Sequence, residues 1–136
     1  MSYKSNIDVV TTASSNVVAN GILPLTTINR RYGCSLNLSG NAILLNDPGY
    51  YLVNITTTFT APVAGVVAVT LNQNGSAVSG ATASTTITTA TTEVRSLSFS
   101  KIVRVTCGAV PSTLTFVNTG VDATFTNISA NVVKIA

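Results

Sequence analysis

The run PGYYLVNITTTFT, Pro48 to Thr60, alternates residue by residue. Tyr51, Val53, Ile55, Thr57 and Phe59 take one parity. Tyr50, Asn54, Thr56, Thr58 and Thr60 take the other, with Leu52 the apolar exception among them. A period of two marks a strand with one face buried and one face open. Thr, Val and Ile are branched at Cβ and stiff at χ1, which favours extended backbone. Asn46-Asp47-Pro48-Gly49 supplies a turn before the strand, and Ala61-Pro62 ends it.

The pattern continues outward from there. Val63, Val67, Val69 and Leu71 share a face, and Asn72-Gln73-Asn74-Gly75 then turns the chain, Asn-Gly being a strong hairpin signal. Leu97, Phe99, Val103, Val105 and Cys107 share one parity, with Lys101 interrupting, and Leu114 and Phe116 follow in a shorter run. Segments 16–22, 27–32, 34–38, 42–46, 50–60, 64–72, 77–88, 94–107, 112–117 and 121–135 are predicted strands, and helix signals are almost absent. The stretch TASTTITTATT, residues 82–92, reads either as a long polar strand or as an exposed loop. Eight to ten short strands between regular Gly and Pro turns predict an all-β fold, a two-sheet antiparallel jelly-roll sandwich. An immunoglobulin-like sandwich is the rival, but its usual core Trp is missing.

At 136 residues the chain is long enough for one domain with a real core. Hydrophobic residues, at 46%, are ordinary, but charged residues make up only 8%, against about 25% in an average soluble domain. Pro48 to Thr92, 45 residues, carries no charged side chain. The net charge of +3 comes from scattered bases, of which only Arg30 and Arg31 are adjacent. That is not the basic stripe a nucleic-acid partner needs. No run of 18 apolar residues is present, so no membrane insertion is expected. The N-terminal MSYKSNIDVVTTASSN lacks the compact apolar stretch of a signal peptide, so synthesis in a cytoplasm is expected.

Catalytic chemistry finds little to work with. The absence of His excludes Ser-His-Asp and Cys-His nucleophiles. Cys34 and Cys107 are too few for a structural zinc. Asp8, Asp47, Glu93 and Asp122 are the available carboxylates; Asp47 and Asp122 sit in turn contexts, and no acidic loop gathers calcium ligands. No catalytic, cofactor-binding or metal-binding residue is therefore assigned, and the chain is not expected to be an enzyme.

Cys34 has the parity of Leu36 and Leu38, and Cys107 that of Val103 and Val105, which predicts two buried free thiols. The alternative is a disulfide closing a 74-residue loop, worth roughly 3–5 kcal/mol by chain entropy. Arg30-Arg31-Tyr32 and Arg104 read either as an interface rim or as charges blunting an edge strand. The four Asn-X-Ser/Thr sequences, at Asn37, Asn54, Asn74 and Asn127, match what this composition produces by chance.

PGYYLVNITTTFT, the hairpin AGVVAVTLNQNGSAVSGA, the late strand LSFSKIVRVTCG and the closing pair STLTFVNTG and FTNISANVVKIA together resemble the C1q/TNF-like (tumour necrosis factor-like) jelly rolls. Within that group the chain is most similar to small domains of bacteriophages and of collagen-like bacterial surface proteins. The resemblance covers residues 16–136, leaving 1–15 as an N-terminal arm or anchoring segment. It implies a homotrimer with the flat face of each sandwich about a threefold axis, and some trimers of this fold hold an ion. Residues 1–15 hold no Gly-X-Y tract.

The uncharged run fits that assembly, since a charge near a symmetry axis is repeated in every copy; Leu52 is the candidate contact. The expected role is structural: a head fibre or capsid decoration knob of a bacteriophage virion, or the receptor-binding tip of a fibre. It would touch other virion proteins and a host-surface glycan through loops near 72–80 or 82–92. The alternative is a trimerisation module of a bacterial collagen-like surface or spore-coat protein. A free carbohydrate-binding module would need aromatic platforms, for which only Tyr3, Tyr32, Tyr50 and Tyr51 are at hand beside four Phe.

Overall fold

The computed structural model describes residues 4–136. Eleven strands form among the described residues: β1 (Asn6–Thr11), β2 (Ser15–Val17), β3 (Thr27–Tyr32), β4 (Leu36–Ser39), β5 (Ala42–Leu45), β6 (Gly49–Thr60), β7 (Gly65–Gln73), β8 (Ser76–Ile87), β9 (Arg95–Val105), β10 (Ser112–Asn118) and β11 (Ala123–Lys134). They make two antiparallel sheets. One runs β3-β1-β11-β6-β9, with β2 paired to β11; the other runs β4-β5-β10-β7-β8. The fold is the all-β, two-sheet sandwich that the alternation predicts.

The alternation becomes burial strand by strand. On β6, Tyr51, Val53, Ile55, Thr57 and Phe59 point inward and are buried. Tyr51, Val53, Ile55 and Phe59 meet Val67, Val69, Leu71, Leu114 and Phe116 of the other sheet in one apolar cluster. Phe59 and Phe125 lie with ring centroids 5.4 Å apart, and Phe99 meets Phe116 edge-on at 6.4 Å. Each aromatic contact of this kind adds about 0.5–1.5 kcal/mol beyond the area it buries.

Polar groups in the interior are satisfied. Asn118, 0% exposed, donates to the carbonyls of Val17 and Val121 and accepts from Gly120 N–H. It thus ties the end of β2 to the turn between β10 and β11. Gly120 is required there, because a Cβ would stand 2.2 Å from the Val66 carbonyl oxygen. The Tyr51 hydroxyl donates to the Asp47 carbonyl at 2.6 Å and closes the turn before β6. Burial, followed by the Asp47 charge, raises the pKa of that phenol.

Several local readings change. The sequence places Asn6–Thr11 in an arm, whereas β1 lies inside the first sheet, hydrogen-bonded to β11 on one side and β3 on the other. Residues 1–3 of that arm lie outside the described part. Val63 falls in the bend before β7 and is 51% exposed, so it does not share the face of Val67. The 82–92 stretch divides: β8 runs to Ile87, and a turn follows.

Cys34 and Cys107 are exposed free thiols, not buried ones. β3 ends at Tyr32 and β4 starts only at Leu36, so Cys34 sits in a bend; Cys107 begins a 3₁₀ turn after β9 has ended at Val105. Strand parity does not extend to either residue.

Candidate functional site

The outward side chains of the first sheet stand in rows set by its register. Asn6, Val133, Leu52 and Ile102 form one row across β1, β11, β6 and β9. The next is Asp8, Asn131, Asn54 and Ser100, followed by Val10, Ser129, Thr56 and Ser98. Tyr50 and Arg104 lie opposite each other beyond the first row.

On the three strands β11, β6 and β9 these rows carry no charge between Ser96 and Ile102. The first row is apolar and incompletely covered: Ile102 is 54% exposed, Val133 38%, and neighbouring Tyr50 44%. The second row is a relay of side chains. Ser100 Oγ donates to Asn54 Oδ1 at 2.6 Å, and Asn54 Nδ2 donates to Asn131 Oδ1 at 3.0 Å. Thr58 and Ser96 hydroxyls sit 3.4 Å apart two rows further along. Such cross-strand pairs let polar groups satisfy one another without a charge.

Leu52 is therefore one member of a patch, and Ile102 and Val133 are its neighbours that the sequence reading missed. Ile102 had a signal, an apolar residue at the outward parity of β9. Val133 had none that a simple period could reveal, because β11 carries a bulge between Phe125 and Asn127 that shifts the parity midway.

The four carboxylates are dispersed and each serves a local hydrogen bond. Asp8 accepts from Asn29, Asp47 from Ser35 Oγ, and Asp122 from Ala19 N–H. Glu93 accepts from Thr88 and Arg95. Among the described residues, no three Cys, Asp or Glu side chains gather where an ion would sit. No helix of the described part is long and apolar enough to cross a membrane.

The nominated contact loops shrink in the structure. The 72–80 region is a tight hairpin, with Asn74 and Gly75 at φ 53° and 84°, and most of the rest belongs to β8. The 88–92 turn stands at the other end of that 12-residue strand, about 35 Å away at the usual rise per residue. One contact surface does not span both. Arg104 lies beside Tyr50 at the rim of the outward face, while Arg30, Arg31 and Tyr32 lie on β3, an edge strand exposed at all six residues. Tyr3 lies outside the described residues; Tyr51 is 0% exposed and so is not an aromatic platform on this surface.

No family model and no curated protein matches the sequence. Solved structures do match over nearly the whole chain. Murine APRIL at pH 5.0 aligns with a TM-score of 0.70 at 14% identity, covering 98% of this chain and 100% of that one. The globular domain of zebrafish complement 1qA protein aligns at 0.65 with 7% identity, covering 93% and 94%. The fold is the C1q/TNF-like jelly roll. The PRD1 vertex protein P5 has it as well, with a TM-score of 0.62 at 13% identity over 97% of each chain. At such identities the likeness establishes the sandwich and its strand order, and the functional reading has to come from this chain's own surface.

Proposed function

We propose that this domain is a homotrimeric structural protein of a bacteriophage virion, a head fibre or capsid decoration knob or the receptor-binding tip of a fibre, that displays surface loops for attachment to a host. The observation that carries the reading is the outward face of β11, β6 and β9, with its partly open apolar row Val133, Leu52 and Ile102 beside an uncharged field of hydroxyls and amides. Copies meeting at a threefold axis bring the same residue together three times. A charge there would be both repelled and desolvated, at a cost of several kcal/mol per ion. Hydroxyls and amides already paired to each other carry no such penalty. The vertex position named for the PRD1 protein of the same fold supports placement on a particle. Its partners would then be two further copies, the capsid or tail protein beneath, and a host-surface glycan.

Sedimentation equilibrium at micromolar concentration tests the assembly, with three times the 14.0 kDa chain mass expected. A 14.0 kDa species under those conditions ends the reading. Immunogold labelling of purified particles tests the location; label found on cells or spores and not on particles moves the trimer to a bacterial surface.

A further inference from the structure

We propose that the recess at the free edge of β3 binds an acidic sugar, a saccharide bearing a carboxylate, sulfate or phosphate. The inference deepens the attachment role proposed above by naming a ligand class, and it rests on that reading only for its biological use. Asn6, Asn29, Arg30, Arg31 and Tyr32 line an open recess of about 320 Å³, at the lower end of the size range of small-molecule sites.

The backbone explains why Asn29 joins Arg30 and Tyr32. Regular alternation would send residues 29 and 31 to one face and residues 30 and 32 to the other. The register shifts between Asp8 and Val9, which pair with Arg30 and Ile28, so Asn29 is the extra residue of a bulge. Bulges bend a strand and re-aim its side chains. The result is an edge where Asn29 takes the side of Arg30 and Tyr32, with Arg31 and Asn6 also among the residues that line the hollow.

Neither arginine is held in an ion pair among the described residues, and with Asp8 as the one carboxylate beside them the edge keeps a net positive charge. Asp8 stands opposite Arg30, but its carboxylate accepts from Asn29 Nδ2 at 3.1 Å. The ion pair found among the described residues joins Arg95 to Glu93, far along the chain. Exposed Lys4, whose carbonyl borders Gly33 just past β3, adds a third positive charge nearby.

Guanidinium forks match the planar oxygens of carboxylates and the tetrahedral oxygens of sulfates and phosphates in a bidentate way. Tyr32, 64% exposed, offers a flat ring for the C–H face of a sugar. Asn6 and Asn29 present amides able both to donate to and to accept from ring hydroxyls. A bare inorganic anion would use the arginines and leave the ring and the amides idle.

β1 and β11 separate β3 from β6, so the recess lies to one side of the outward face of β11, β6 and β9 and borders it at Asn6, which continues the row of Val133 and Leu52. An open site of this size binds weakly alone, and repetition on a trimer and a particle raises the effective affinity.

Amide-resolved NMR titration of the intact chain tests the proposal with four probes: sialyllactose, a sulfated heparin disaccharide, neutral lactose and sodium sulfate. The expected result is saturable shifts at Asn6 and Asn29–Tyr32 with at least one acidic sugar, weakening as salt rises from about 50 to 200 mM, and none with lactose. Which acidic probe binds names the acid. The double variant R30A/R31A should lose at least tenfold in affinity, R30K/R31K should lose less, and Y32A should weaken sugar binding without altering the response to sulfate. All three positions are exposed, so the spectra of the variants should show an intact fold.

Equal shifts with lactose, sulfate binding as tight as the sugars, shifts centred elsewhere, or unchanged affinity in R30A/R31A would each overturn the proposal. Per-site shifts do not depend on oligomeric state. A monomer that binds sinks the assembly reading alone, and a trimer that does not bind sinks this inference alone.

Discussion

Inward from β6, Tyr51, Val53, Ile55, Thr57 and Phe59 are between 0% and 2% exposed; outward, Leu52, Asn54 and Thr58 are half-buried, and Tyr50 and Thr56 are open. The two faces come from alternate residues of one strand, yet only the first is completed by its own chain. Both avoid charge, for different reasons. Inside, a charge would be stranded in a core. Outside, water is available and nothing within a single copy forbids Lys or Glu, so the uncharged outward face points to a contact outside the chain. Substitutions on each face should accordingly separate folding from assembly.

The largest effect belongs to the inward face. Phe59→Ala removes a ring that is 0% exposed and packed 5.4 Å from Phe125. The expected loss is about 3–5 kcal/mol of folding stability, read from the urea midpoint. A loss below about 1 kcal/mol would mean that this core is far looser than its burial indicates.

The outward face should respond in the opposite way. Ile102→Asp, at a position 54% exposed, should leave the urea midpoint of a dilute sample nearly unchanged. The new carboxylate would repeat in three copies, so association should weaken by more than roughly a hundredfold, and sedimentation should show 14.0 kDa chains. Leu52→Asp should act likewise. If both variants stay trimeric, the contact lies on another surface.

How much of this was legible follows from where period two survives. β6 and the Asn74-Gly75 hairpin were readable because each is a local signal, alternation in one case and left-handed turn residues in the other. β1 was not, because NIDVVT is short and its burial depends on β11, more than a hundred positions later in the chain. The bulges in β3 and β11 hid both the placement of Asn29 beside Arg30 and the outward position of Val133. The cysteines were misread because parity was carried back before the start of β4 and on past the end of β9. Leu52 could be picked out locally, but its neighbours depended on register.

A smaller effect sharpens the comparison inside the outward face itself. Asn54 bridges Ser100 and Asn131 at 2.6 and 3.0 Å. Asn54→Ala leaves two partly open groups unpaired and should cost about 1 kcal/mol of stability. If instead the trimer dissociates while the folded chain is unaffected, the amide acts in the contact between copies.

The smallest effect lies at the end turn, where the chain does keep its charge. Glu93 ends the uncharged run, accepts from Arg95 Nε at 2.9 Å and from Thr88 Oγ1 at 2.8 Å, and has its pKa lowered to about 2, chiefly by Arg95 and then by Thr88. A carboxyl that binds its proton less readily when folded than at the ordinary 4.5 stabilises the fold while ionised. The contribution is complete above that value and is lost as pH falls toward about 2. Glu93→Gln should therefore melt slightly lower than the parent near neutral pH, and the gap should close as acid protonates Glu93. The pair lies at the surface, with the Arg95 side chain half exposed, so added salt should narrow the gap too. A gap constant across that pH range would assign the effect to the shape of the Thr88–Arg95 turn and not to its charge. Charge would then be merely tolerated at the ends of the sandwich, which sets the baseline for judging its absence from the outward face.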